Sequence, residues 1–175
     1  MLVRLFMVIL LGLGLAGSVV AGEHQPGPQF QPVDLAPVRH AQASLTLIAP
    51  DGSRKTFSPE ELEKIGSYRL TTRTPWRETP ATFEGPLLAD VLAIGGLADL
   101  DAVEVTAEND YTVTIEREVW TSVPILVATR VNGQPHNRRE RGPIQFVMDM
   151  NQYRSSPVAA ERHWVWMAAT IKPAQ

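Results

Sequence analysis

The sequence predicts an α+β fold in which strands outnumber helices, and three observations carry that reading. Short runs with period-two alternation, such as AVEVTA and YTVTIE, recur along the chain. Only two segments have helical spacing, and both are short. Strands and helices do not follow one another in the regular alternation of a doubly wound sheet.

At the start, MLVRLFMVILLGLGLAGSVVAG combines a cationic residue, Arg4, with an apolar run from Leu5 to about Val20 and small residues at its end. That pattern predicts a secretory signal peptide over residues 1–21, with Val19 and Ala21 at the cleavage positions and export to the periplasm. The run is short for an uncleaved anchor, and no later segment has the length and apolarity of a membrane span. Residues 22–40, GEHQPGPQFQPVDLAPVRH, are rich in Pro and Gln and predict a flexible or extended tether, which leaves 41–175 as the folded domain.

In ASLTLIAP, Leu45 and Leu47 alternate with Thr46 as in a half-buried strand, and Asp51-Gly52 supplies a turn. Ser58, Pro59 and Glu61 in FSPEELEKIG carry the signature of a capped helix that Gly66 stops. YRLTTRT reads as a strand entering a loop centred on Thr74-Pro75-Trp76. Gly85-Pro86 then opens a helix in which Leu87, Leu88, Val91 and Leu92 share a face and Gly95-Gly96 marks the end. AVEVTA and YTVTIE form a hairpin through Glu108-Asn109-Asp110. PILVATRV reads as a near-continuous strand ending in the tight-turn pair Asn132-Gly133. IQFVM and WVWMAATI are the last strands, with Trp164 and Trp166 in the final one.

The formal net charge of the 175-residue chain is −3, and loss of Arg4 with the signal makes it −4. About 150 mature residues suffice for one core, and a mildly acidic surface gives no general attraction to nucleic acid or anionic membranes. The chain has no cysteine, which removes disulfides and thiolate metal ligands together. His24, His40, His136 and His163 are scattered, without an acid or second histidine at ligand spacing. There is no G-x-S-x-G nucleophile motif and no phosphate-binding glycine loop.

Polar and aromatic residues at element ends are the candidate recognition groups, because loops on a rigid scaffold usually carry function. Arg73 and Trp76 flank Thr74-Pro75, Asn109, Asp110 and Tyr111 occupy a turn, Arg138, Arg139 and Arg141 surround Glu140, and Trp164 and Trp166 sit in the last expected strand. Such groups suit a flat heterocycle that stacks on aromatic rings and hydrogen-bonds at its edges. Each has a structural alternative: core packing for Trp166, a plain tight turn for Asn109-Asp110, a solvated loop for the arginines.

Taken in order, TRTPW, FEGPLLADVL, AENDYTVTI, ILVATRVNG, RRERGPIQFVM and the tail from Trp166 to Ile171 resemble the sulfite-oxidase-type molybdopterin-binding domain over most of residues 43–172. The likeness is strongest to its small exported members. It implies mixed, curved β-sheets with few short helices around a pterin site. Active oxidoreductases of that family ligate molybdenum through a cysteine; its absence here makes molybdenum unexpected and points to the cysteine-less, pterin-binding branch. The resemblance then implies a periplasmic protein that binds a reduced pteridine and regulates the periplasmic domain of an inner-membrane cyclic-di-GMP cyclase/phosphodiesterase. A molybdopterin-dependent oxidoreductase, or an accessory subunit of an exported redox complex, is the alternative. The ligand-binding residues expected on this reading are Arg73, Thr74, Trp76, Asn109, Asp110, Tyr111, Arg139 and Trp166.

Overall fold

The structure, a computed structural model, describes residues 29–175, so the expected signal peptide and the first part of the expected tether lie outside the described residues. The rest of that tether is docked. Phe30 is buried, and Gln31–Val33 (β1) forms an edge strand. The folded part therefore reaches back beyond the boundary expected at residue 41: one apolar anchor and three paired residues suffice, and neither produces a periodic signal.

Leu45–Ile48 (β2) and Arg54–Phe57 (β3) pair antiparallel around the Asp51-Gly52 turn. Pro59–Glu63 (α1) has the expected capping box, in which Ser58 and Glu61 each accept from the other's backbone N–H. Ser67–Thr74 (β4) continues into Arg77–Gly85 (β5), with Pro75 and Trp76 alone in the turn between them. The sequence reading had only a loop at β5, because Pro80 and a polar first half hide the alternation that begins at Ala81. Gly85 ends the strand where a Cβ would run into the Val127 carbonyl, so no other residue fits without displacing backbone.

Leu88–Gly95 (α2) is closed by Gly96 in the left-handed conformation and buries Leu88, Val91 and Leu92. Fully burying such side chains is worth about 1.5–3 kcal/mol each. Ala102–Ala107 (β6) and Thr112–Glu116 (β7) form the expected hairpin, and Arg117–Ser122 (α3) follows as an unforeseen helical turn. The expected continuous strand at PILVATRV is two, Ile125–Ala128 (β8) and Arg130–Val131 (β9), interrupted at Thr129. They serve different sheets, a division that a uniformly apolar run cannot reveal. Asn132 and Gly133 both take positive φ in the turn to Gln134–Pro135 (β10), as the Asn-Gly pair predicts. Gln145–Met148 (β11) leads to Met150–Ser155 (α4), whose Asp149 cap accepts from two backbone N–H groups. Only Ala168–Pro173 (β12) of the expected last strand forms; Trp164 and Trp166 precede it.

Three sheets result among the described residues, ordered β1-β4-β5-β9-β10, β11-β8 and β3-β2-β12-β6-β7. The β2–β12 pair is parallel and the other named pairs are antiparallel, with register shifts in β4–β5 and β12–β6 that curve the strands. The class is mixed α+β, mostly strand, as expected. One continuous apolar cluster links all three sheets.

Candidate functional site

Three loops meet at one end of this scaffold. The two-residue β4–β5 turn carries Trp76 at its tip. In the β6–β7 turn, Asp110 takes a φ of 64° while Asn109 Oδ1 accepts from the Tyr111 N–H at 3.3 Å. The Glu108 N–H donates to the Met167 carbonyl at 2.8 Å, which ties that turn to the segment ahead of β12.

That segment opens with a short 3₁₀ turn, Glu161–His163, where His163 Nδ1 accepts from the Ala160 N–H at 3.1 Å. Trp164 then turns inward and is buried, Trp166 remains half-buried, and Met167 at positive φ redirects the chain into β12. The strand expected through the two tryptophans is thus replaced by an irregular bend. Trp76 stands edge-on to both rings, with centroids 4.4 Å from Trp166 and 6.5 Å from Trp164, and Tyr153 of α4 extends the stack 5.4 Å from Trp164.

Arg141 completes the group from a different loop. Its guanidinium carbon lies 4.4 Å from the Trp166 ring centroid and 5.2 Å from that of Trp76. The residue sits at positive φ after the 3₁₀ turn Arg138–Glu140, and Gly142 follows where a Cβ would come within 2.6 Å of the His136 ring. Glycine is needed there so that this loop can close over His136 and hold Arg141 above the tryptophans.

The result is an open slot of about 420 Å³, walled by Trp76, Trp164, Trp166 and Tyr111 with Asn109, Glu161 and Arg162 as polar neighbours. The Tyr111 hydroxyl donates to the Arg162 carbonyl at 3.4 Å, bridging two walls. Behind Arg162, burial and then the arginine's charge hold the His163 imidazole below its ordinary range, so it stays neutral. Three donors of the group, Trp164 Nε1, Trp166 Nε1 and Arg141 Nε, are buried with no hydrogen-bond partner. A buried donor left unpaired costs about 1–3 kcal/mol, and three in one cluster is a concentration that packing alone does not explain.

Of the eight residues expected from sequence, Trp76, Asn109, Tyr111 and Trp166 come together in the slot. Arg73 and Thr74 line a neighbouring groove instead, at the register shift where β4 enters the turn, and Thr74 also shares a smaller cavity with Trp76. Exposed Arg139 lines a smaller cavity of about 200 Å³ with Thr74 and Arg141. Asp110 lines none of these three cavities and serves the turn. Arg141 and Trp164 were candidate recognition groups in the sequence but were left out of the expected set in favour of Arg139 and Trp166, while Glu161, Arg162 and Tyr153 had no local signal. Among the described residues, no three histidines, carboxylates or cysteines gather as a metal-holding group.

No family model matches the chain, and a search of curated proteins finds no match.

Proposed function

We propose that the protein binds a reduced pterin, or a closely related flat pteridine, in the tryptophan slot and passes its occupancy to a membrane-bound signalling protein in the periplasm. The single observation that carries the ligand reading is the slot itself: rings arranged edge to face around an open space, with Asn109, Glu161 and Arg162 as polar neighbours. A pteridine offers a flat π-face for such walls, carbonyl and ring-nitrogen acceptors for the Asn109 amide and the Arg162 guanidinium, and an amino-pyrimidinone donor edge for an acceptor such as Glu161. The residues lining the slot therefore suit the group on both counts, stacking and hydrogen bonding at its edges.

Stacking of a heterocycle on an aromatic side chain is worth about 1–3 kcal/mol. Two or three such contacts with a few hydrogen bonds bring the total to about −8 kcal/mol, which is micromolar binding. The sulfite-oxidase-type fold and the cyclic-di-GMP enzyme as receptor rest on the resemblance described above. The same resemblance, with a chain that has no cysteine to ligate molybdenum, favours binding over metal-centred oxidation.

The test is an anaerobic calorimetric titration of the protein with tetrahydropterin and oxidised pterin. One saturable micromolar site is expected, weakened at least tenfold by Trp76→Ala and several-fold by Asn109→Ala, with both variants folded by circular dichroism. Absence of heat and of thermal stabilisation across the pteridine series sinks the ligand reading.

A further inference from the structure

The groove next to the slot carries chemistry that the pteridine reading leaves unused. It encloses about 570 Å³ and is rimmed by Arg73, Arg77 and Arg154, with Glu78 the one carboxylate in its wall. Neither Arg73 nor Arg154 has a side-chain partner among the described residues, and both are exposed. Arg77 is only loosely held, 3.9 Å from Glu140. The adjoining small cavity adds Arg139 and Arg141 against Glu140, so that five arginines face two glutamates across the pair of cavities. This is a local surplus of three positive charges on a chain whose formal net charge is −3. Between the arginines the wall is partly apolar: Pro75, the buried Met150 and the half-buried ring of Tyr153 stand beside Thr74.

We infer that this arginine-rimmed groove is a docking site for an acidic segment of a partner protein, one that sets carboxylates on Arg73, Arg77 and Arg154 around a central apolar side chain. A small free oxyanion is the poorer occupant. Sites for such ions enclose them in converging donors, whereas these arginines come from β4, β5 and α4 and stand around a wide, partly apolar trough. Carboxylates alternating with an apolar anchor match both halves of that surface, and guanidinium forks are suited to pairing with them. The charge surplus also supplies local attraction that the chain's net negative charge would not give.

The groove is built on the same residues as the slot. Tyr153 lines the groove and packs edge-on against Trp164, while Thr74 and Arg77 flank Trp76 in the β4–β5 turn. A segment seated on Tyr153 and Arg77 thus bears on rings that shape the slot, and the two occupancies are coupled reciprocally. That coupling, though not the docking itself, rests on the pteridine reading.

The experiment is fluorescence anisotropy of the protein with a labelled glutamate-rich peptide of about ten residues carrying one central leucine, a length suited to a single groove. Saturable binding is expected, weakening steeply between about 0.05 and 0.3 M salt. The charge-reversal variant Arg73→Glu/Arg154→Glu should lose at least about tenfold in peptide affinity, while Lys64→Glu, outside both cavities, stays within about twofold. Saturating tetrahydropterin should shift peptide affinity by about threefold or more, and the peptide should shift pterin affinity by the same factor.

The docking site is overturned if the peptide fails to bind, whatever pterin does. It is equally overturned if millimolar inorganic phosphate displaces the peptide while chloride at equal ionic strength does not, or if anionic lipid vesicles show the arginine dependence and the peptide does not. Peptide binding without any pterin binding leaves the groove standing and removes the slot reading. Independent binding of both, with no mutual shift, removes the coupling.

Discussion

Two arginines of this protein sit in opposite circumstances. Arg130 is buried against Glu63, donating through Nε at 2.8 Å and through a terminal nitrogen at 2.6 Å, and it also donates to the Ala36 carbonyl. Thr129 donates to the same carboxylate at 2.7 Å, and His40 Nε2 lies 2.9 Å from it. Burial pushes the Glu63 carboxyl up, but Arg130, His40 and Thr129 outweigh it and hold it at about 2. Arg141, by contrast, lies over two tryptophans with its buried Nε unpaired, beside two unpaired indoles. Where the charge is met by its own chain, the cluster holds the fold together, pinning residues 36–40 to α1 and β9. Where donors are left unmet, they gather in the ring cluster beside an open slot and contribute no such cross-link.

The largest expected effect breaks the first cluster. Glu63→Ala leaves Arg130 buried without its counter-charge and should cost about 3–5 kcal/mol in urea unfolding. Trp166→Ala, made in the second cluster, should do the reverse, lowering stability by far less than Glu63→Ala while weakening pterin binding at least tenfold. If the two variants lose stability equally and pterin affinity equally, the division between structural and ligand-binding clusters is wrong.

A pH series sharpens the same contrast. Burial holds the imidazoles of His136 and His163 below their ordinary 6.5, with Arg162 adding to the effect at His163. The unfolded chain therefore binds more protons than the folded one as pH falls below about 6.5, and stability must decline there. The slope is at most about 1.4 kcal/mol per pH unit for each proton. Glu63 has the opposite charge type but the same sign of linkage: its stabilisation is complete above its ordinary 4.5 and is lost as pH falls toward about 2. Unfolding free energies between about pH 7.5 and pH 3 should fall in two stages, and His136→Gln should flatten the first. A flat profile down to pH 5 would show that neither imidazole is held neutral by its surroundings.

How much of this was legible in the sequence follows from range. The Ser58–Glu61 capping box, the Asn132-Gly133 turn and the β6–β7 hairpin are decided by residues within a few positions of one another, and all were readable. Trp76, Asn109 and Tyr111 were readable as loop residues of the right chemistry and Trp166 as an aromatic of the last expected strand, which is why half of the expected site assembles. Glu161 and Arg162 gave no local signal, since only the return of the chain before β12 brings them beside the β6–β7 turn. The His40–Glu63–Arg130 cluster was invisible for the same reason, its central pair lying 67 residues apart. The tether was misread because Pro and Gln dominate its composition while Phe30 and His40 do the anchoring.

The smallest expected effect isolates burial as the cause of the contrast. Arg138 and Glu108 form a two-point fork with distances of 2.7 and 2.8 Å, nearly the geometry of Arg130 on Glu63. The arginine side chain there is 49% exposed, against 4% for Arg130. Water screens the exposed pair and already solvates both partners when they separate, so a double-mutant cycle with Arg138→Ala and Glu108→Ala should return about 0.2–1 kcal/mol. Roughly half a molar salt should erase most of it, since screening then acts within a few ångströms. If that cycle instead gave a coupling comparable to the Glu63→Ala loss, fork geometry rather than burial would set the strength of these pairs. The buried cluster would then lose its claim to be the structural centre of the N-terminal docking.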